Sequence, residues 1–213
     1  MTRVSIKICG ITTPQTLEAT IAARADYVGF NFYPPSPRFL ALDAAAQLGA
    51  LAGDSIAKVG LFVDADDHAI ALASAAGKID ILQLHGAETP ERVAEVKTRF
   101  GLPVWKVLPV AAGRDVGMAT AYREVADFIL FDAKTPKGSL PGGMGLAFDW
   151  SLLELYRGPM PWGLAGGLTA ANVGEAIRTT HAPLVDTSSG VESAPAVKDA
   201  DKIAEFCKAV RAA

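Results

Sequence analysis

Four apolar runs in this chain end in residues that can do chemistry. Residues 4–8 lead into Cys9-Gly10, 127–131 into Asp132, 162–165 into Gly166-Gly167, and 184–185 into Asp186-Thr187-Ser188-Ser189-Gly190. A thiol becomes reactive once ionised, and a positive neighbour favours that ionisation. A carboxyl at an apolar mouth has a raised proton affinity, which suits a general acid. Glycine and serine turns expose amides and hydroxyls that suit an anion. Read singly, Cys9 is equally a small buried hydrophobe and Asp132 a loop aspartate. Their shared placement at the ends of apolar runs favours one site, because parallel α/β folds bind ligands beyond the carboxyl ends of their strands.

The elements that would position these groups alternate regularly. Strands are expected over 4–9, 27–32, 58–63, 79–85, 104–109, 128–132, 162–165 and 184–186. Helices are expected over 16–24, 44–51, 67–76, 91–100, 116–124, 150–155, 171–179 and 199–210. Thr13-Pro14 and Thr89-Pro90 each place a hydroxyl at an N-cap and a proline at the first helical position. Eight such pairs predict an α/β fold, a single-domain (β/α)8 TIM barrel over 1–213, with an open doubly wound sheet as the rival. Residues 133–147 carry Lys134, Lys137, Gly138, Gly142, Gly143 and Gly145 and read as a functional loop, of the kind that often forms a lid.

Strand alternation sorts the side chains. With Cys9 inward, Lys7 and Ser5 are inward too, and the lysine is expected to favour the thiolate. Asp132 shares the inward face with Leu130 and Phe128. His85 follows Gln83 on one face of the fourth strand, where it is a candidate for a substrate oxygen or a structural histidine. Gly166 and Gly167, with Ser188, Ser189 and Gly190, sit where many barrels hold a phosphate, after strands seven and eight. Asp186 could accept a sugar hydroxyl. The stiff run Pro34-Pro35-Ser36-Pro37 holds up Arg38, whose guanidinium suits a carboxylate.

Bulk properties narrow the class. Of 213 residues, 50% are hydrophobic and 20% charged, so the chain is globular. A net charge of -3 argues against a nucleic-acid or anionic-membrane surface. No apolar stretch approaches bilayer length. Residues 1–7 lack a signal-peptide core, and Cys9 and Cys207 show no disulfide or zinc spacing, so a cytoplasmic location is expected.

Assembled in order, the segments resemble the phosphoribosylanthranilate isomerase family. The matching stretches are Lys7-Ile8-Cys9-Gly10-Ile11-Thr12, Pro34-x-Ser36-Pro37-Arg38, Gln83-Leu84-His85-Gly86, Phe131-Asp132, Gly142-Gly143-x-Gly145, Phe148-Asp149-Trp150, Leu164-Ala165-Gly166-Gly167-Leu168, Asn172-Val173 and Asp186-x-Ser188-Ser189-Gly190-Val191-Glu192. Met144 departs from the threonine common there. The resemblance implies an Amadori rearrangement of N-(5-phosphoribosyl)anthranilate in tryptophan biosynthesis. Asp132 would be general acid and Cys9 general base, with Arg38 on the anthranilate carboxylate and the glycine–serine loops on the phosphate. No metal or cofactor is called for, since the substrate nitrogen is the electron sink. A phosphorylated sugar–anthranilate would be the small-molecule substrate, with no nucleic-acid or membrane partner, and the protein a monomer or homodimer. Rival readings are a sister phosphate barrel and a non-catalytic sensor of phosphorylated metabolites. Indole-glycerol-phosphate synthase would need a glutamate at the mouth, and the histidine-pathway sugar isomerase an aspartate at position nine.

Overall fold

The computed structural model describes residues 3–135, 145–154, 156–158 and 160–213. Eight parallel strands close in chain order: β1 (Ser5–Cys9), β2 (Tyr27–Asn31), β3 (Ala57–Phe62), β4 (Ile81–Leu84), β5 (Val104–Val110), β6 (Phe128–Ala133), β7 (Trp162–Leu164) and β8 (Leu184–Thr187). Pairing of β8 with β1, Asp186 opposite Lys7, closes the ring. The expected (β/α)8 barrel is the observed one.

The helices are α1 (Pro14–Ala22), α2 (Leu42–Ala52), α3 (Asp67–Gly77), α4 (Pro90–Phe100), α5 (Gly113–Gly117), α6 (Ser151–Glu154), α7 (Val173–Thr180) and α8 (Ala200–Arg211). Thr13 and Thr89 cap α1 and α4, accepting from Thr16 N and Arg92 N, with proline following each. Three helical expectations needed revision. The helix expected at 116–124 is a five-residue α5 followed by a 3-10 turn, Met118–Tyr122, because glycines at 113 and 117 weaken the helix at both ends. α6 is a single turn, and position 155 lies outside the described residues. α7 begins at Val173 instead of 171, because the Asn172 side chain bonds backward, accepting from Thr169 N at 2.8 Å and donating to Gly167 O at 2.9 Å. A short antiparallel hairpin, β9 (Glu192–Ala194) with β10 (Val197–Lys198), follows β8 and was not expected.

Alternation divides the core. Ile6, Ile8, Val28, Phe30, Leu82 and Leu84 face the helices, whereas Val59, Trp105, Val107, Leu130, Ala165 and Leu184 fill the barrel. Trp105 stacks on Phe128 at 4.6 Å and meets Tyr27 edge-on at 5.1 Å, near the amino ends of the strands. That end is also pinned by a repeated device. Asp26, Asp80 and Asp127, each preceding an even-numbered strand or its first residues, accept from Ile6 N, Lys58 N and Val104 N at 2.8 Å. Each also donates its own amide back to the same residue's carbonyl, at 2.8–2.9 Å. The opposite, carboxyl end stays open for a ligand.

Candidate active site

One cleft at the carboxyl ends of the strands, about 750 Å³ counting space open to solvent, gathers Cys9, Arg38, His85, Asp132, Gly166, Gly167, Asp186, Ser188 and Ser189. Nine of the ten expected site residues therefore share a wall. Gly190 is not among the lining residues. A Cβ there would run into the Leu168 carbonyl and meet Thr187 Oγ1 at 2.8 Å, so its bareness lets the β7 and β8 loops touch.

Cys9 ends β1 with its sulfur turned to the interior. A side chain on Gly29, its partner in β2, would lie 2.8 Å from that sulfur, so glycine there makes the room. Lys7, wholly buried one step below, donates to Asp186 Oδ2 at 2.9 Å. Burial would lower the Lys7 ammonium, but the Asp186 carboxylate beside it holds it above its ordinary value. Lys7 does favour the Cys9 thiolate, as expected, but it is not the largest influence on the sulfur. Burial pushes the thiol up and Asp186 adds to this, outweighing the opposing pull of Lys7 and Lys198.

Asp132 is the buried penultimate residue of β6. Its Oδ1 accepts from Ala133 N at 2.8 Å, and its Oδ2 faces His85 Nε2 at 3.3 Å. The mouth around it is not the apolar surface expected. Gln83 Oε1, His85 Nδ1 and Asp186 Oδ1 are buried polar atoms with no hydrogen-bond partner among the described residues. Orphaned buried acceptors and donors are costly, and three in one cleft suit a polyhydroxy ligand.

Arg38 is held otherwise than by proline stiffness alone. Glu192 takes its guanidinium in a fork, Nε to Oε1 at 2.7 Å and Nη2 to Oε2 at 2.8 Å. Lys198 approaches the same carboxylate at 2.5 Å and also donates to Ser188 O and Oγ. Burial opposes ionisation of Glu192, but hydrogen bonds from Arg38 and Lys198 outweigh it and bring the carboxyl down to about 2. Ser188 Oγ in turn donates to Cys9 O at 3.1 Å. Asn31 and Ser36 fix the loop beneath, Asn31 Nδ2 donating to Ser36 Oγ, which also accepts from Arg38 N. Sequence reasoning assigned no role to Glu192, Lys198 or Asn31. Only Glu192 carried a signal, as the last residue of the motif that begins at Asp186.

The glycine–serine loops face each other across one side of the cleft. Gly166 and Gly167 adopt positive φ of 91° and 63°, and neither amide donates to a described residue. They precede the first turn of α7 by several residues. Of the loop expected to act as a lid, positions 136–144, including Lys137, Gly138, Gly142, Gly143 and Met144, lie outside the described residues. Gly145 and Leu146 do line the cleft. Among the described residues no cluster of His, Cys, Asp and Glu could hold a metal ion, and no helix is long and apolar enough to cross a membrane.

A closed parallel barrel whose thiol, carboxyl and glycine-rich loops converge on one mouth is a (β/α)8-barrel protein with the architecture of the phosphate-handling barrel enzymes. The model of the N-(5'-phosphoribosyl)anthranilate (PRA) isomerase family matches residues 6–209, and the chain belongs to that family. N-(5'-phosphoribosyl)anthranilate isomerase of Paramagnetospirillum magneticum is 53% identical over 209 residues, 98% of this chain and 97% of that protein. The crystal structure of the Thermotoga maritima phosphoribosyl anthranilate isomerase matches with a TM-score of 0.89 at 36% identity, over 99% of this chain and 100% of that one. A phosphoribosyl anthranilate isomerase in complex with reduced 1-(o-carboxyphenylamino)-1-deoxyribulose 5-phosphate matches with a TM-score of 0.86 at 34% identity, over 99% and 100%.

Proposed function

We propose that this cleft converts N-(5-phosphoribosyl)anthranilate into 1-(2-carboxyphenylamino)-1-deoxyribulose 5-phosphate, with Asp132 as acid and Cys9 as base. The observation that carries the reading is the placement of a thiol from β1 and a carboxyl from β6 in one polar cleft beside the β7 and β8 loops. Membership in the family supports the choice of substrate.

The chemistry follows from the substrate. Asp132 gives a proton to the furanose ring oxygen; the bond from that oxygen to C1 breaks, and the nitrogen lone pair forms an iminium. The positive nitrogen acidifies the hydrogen on C2, which Cys9 sulfur removes as a proton. The electron pair returns to nitrogen as C1=C2 forms. The enolamine then tautomerises, one proton reaching C1 and one leaving the 2-hydroxyl. To act as base the buried thiol must first lose its proton, and the Lys7 and Lys198 ammonium groups favour that loss against burial.

Binding groups hold the ends of the substrate. Bare amides at Gly166 and Gly167, with Ser188 and Ser189, would take the phosphate, a remote anchor that fixes the reacting carbons. Arg38, its plane set by Glu192, would face the anthranilate carboxylate. His85 and Asp186 present buried polar atoms to the sugar hydroxyls.

The test is loss of anthranilate-type fluorescence as phosphoribosylanthranilate is consumed, with no metal or nucleotide added. Cys9→Ala and Asp132→Ala should each lower kcat at least about a hundredfold with the fold retained. Wild-type rates in either variant would end the assignment of that residue, and an inert wild-type protein would end the proposed reaction.

A further inference from the structure

The loop that presents His85 is clamped from behind by a buried ion pair that the acid–base scheme leaves unused. Lys106 lies in β5 opposite Leu84 and points away from the barrel axis, 2% exposed. Its ammonium donates to Gly86 O at 2.8 Å, to Leu84 O at 3.3 Å and to Glu88 Oε2 at 2.8 Å. Leu84 and Gly86 are the two neighbours of His85. Glu88 completes the clamp, accepting from Gly86 N and from Asp64 N at 2.9 Å each. Tyr122, delivered by the 3-10 turn that replaces the expected helix, donates its hydroxyl to Glu88 O at 2.9 Å, with its ring 5.9 Å from the Lys106 ammonium. His85 N bonds Phe62 O at 2.8 Å. The imidazole thus leaves a backbone held on every side and meets Asp132 at 3.3 Å.

A buried ion pair adds little stability over an apolar pair of equal volume, because desolvation offsets its attraction. An apolar pair cannot, however, hold two carbonyls and one amide of this loop, and the Asp64 amide of the loop after β3, in place. We propose that Lys106 and Glu88 are positioning residues for the isomerisation, setting His85 and, through it, the Asp132 carboxyl. The proposal rests on Asp132 acting as the acid.

A double-mutant cycle tests it. Lys106→Met should lower kcat about tenfold or more while KM stays within about twofold, the scale of a small misplacement of a catalytic group. In a His85→Asn background the same substitution should change kcat by less than about twofold. Lys106→Met strands a buried carboxylate, so Glu88→Gln, isosteric and neutral, is run in parallel and should show the same dependence on His85. Equal losses with and without His85, full kcat in both clamp variants, or full kcat in His85→Asn would overturn the proposal. An inert wild-type protein would sink the proposed reaction and this inference together, whereas an active wild type with additive losses sinks the inference alone.

Discussion

The sulfur of Cys9 is pulled two ways, and burial prevails over the ammonium groups of Lys7 and Lys198. A base that rests protonated gives a measurable signature. Thiolate absorbance near 240 nm should be missing at neutral pH and emerge only above the ordinary thiol range, and alkylation of Cys9 should keep accelerating across that range. Cys207, pushed up by burial to about 11, can be removed as a control. A full thiolate at neutral pH would show that the lysines outweigh burial. At this scale the sequence was informative wherever one strand's alternation decides direction. Lys7, Cys9, Gln83, His85 and Asp132 all face the side their parity predicts. Glu192 and Lys198 lie beyond β8 in a hairpin with no such pattern, and the pairing of Glu192 with Arg38 spans 154 positions.

At the scale of the element, the two ends of the barrel divide the work. The amino end is stitched by Asp26, Asp80 and Asp127, each closing a reciprocal pair of hydrogen bonds to the preceding strand. Asp127→Ala should therefore lower unfolding free energy by about 1–2 kcal/mol, read by urea titration, and leave kcat unchanged. A drop in kcat without a drop in stability would contradict the separation. The strands and the long helices were legible because their apolar periods and Thr-Pro caps are local. α5 and α7 were not, for a physical reason. Glycines 113 and 117 shorten the first, and a side chain that folds back on its own loop delays the second.

Across the whole molecule, closure depends on polar contacts between chain ends. Lys7 meets Asp186 across the β1–β8 seam, Arg211 of α8 reaches the carbonyls of Val4 and Arg24, and Glu192 joins the β2 loop to the terminal hairpin. Glu192 titrates near 4.5 when unfolded and about 2 when folded. Its contribution to stability is thus whole above the unfolded value and fades as pH falls toward the folded one. Glu192→Gln should be less stable than wild type at about pH 6, and the gap should narrow by about pH 3. A constant gap would mean that the carboxylate charge is not what closes the structure. Local pattern alone determined that this chain makes eight β/α units and which strand ends carry its thiol, carboxyl and bare glycines, because propensity, parity and capping act over a few residues. Which of those groups share a cleft, how burial sets the ionisation of Cys9, and that Arg38 answers to Glu192 were decided only by the closed barrel, because field, desolvation and long-range pairing exist only once distant segments have met.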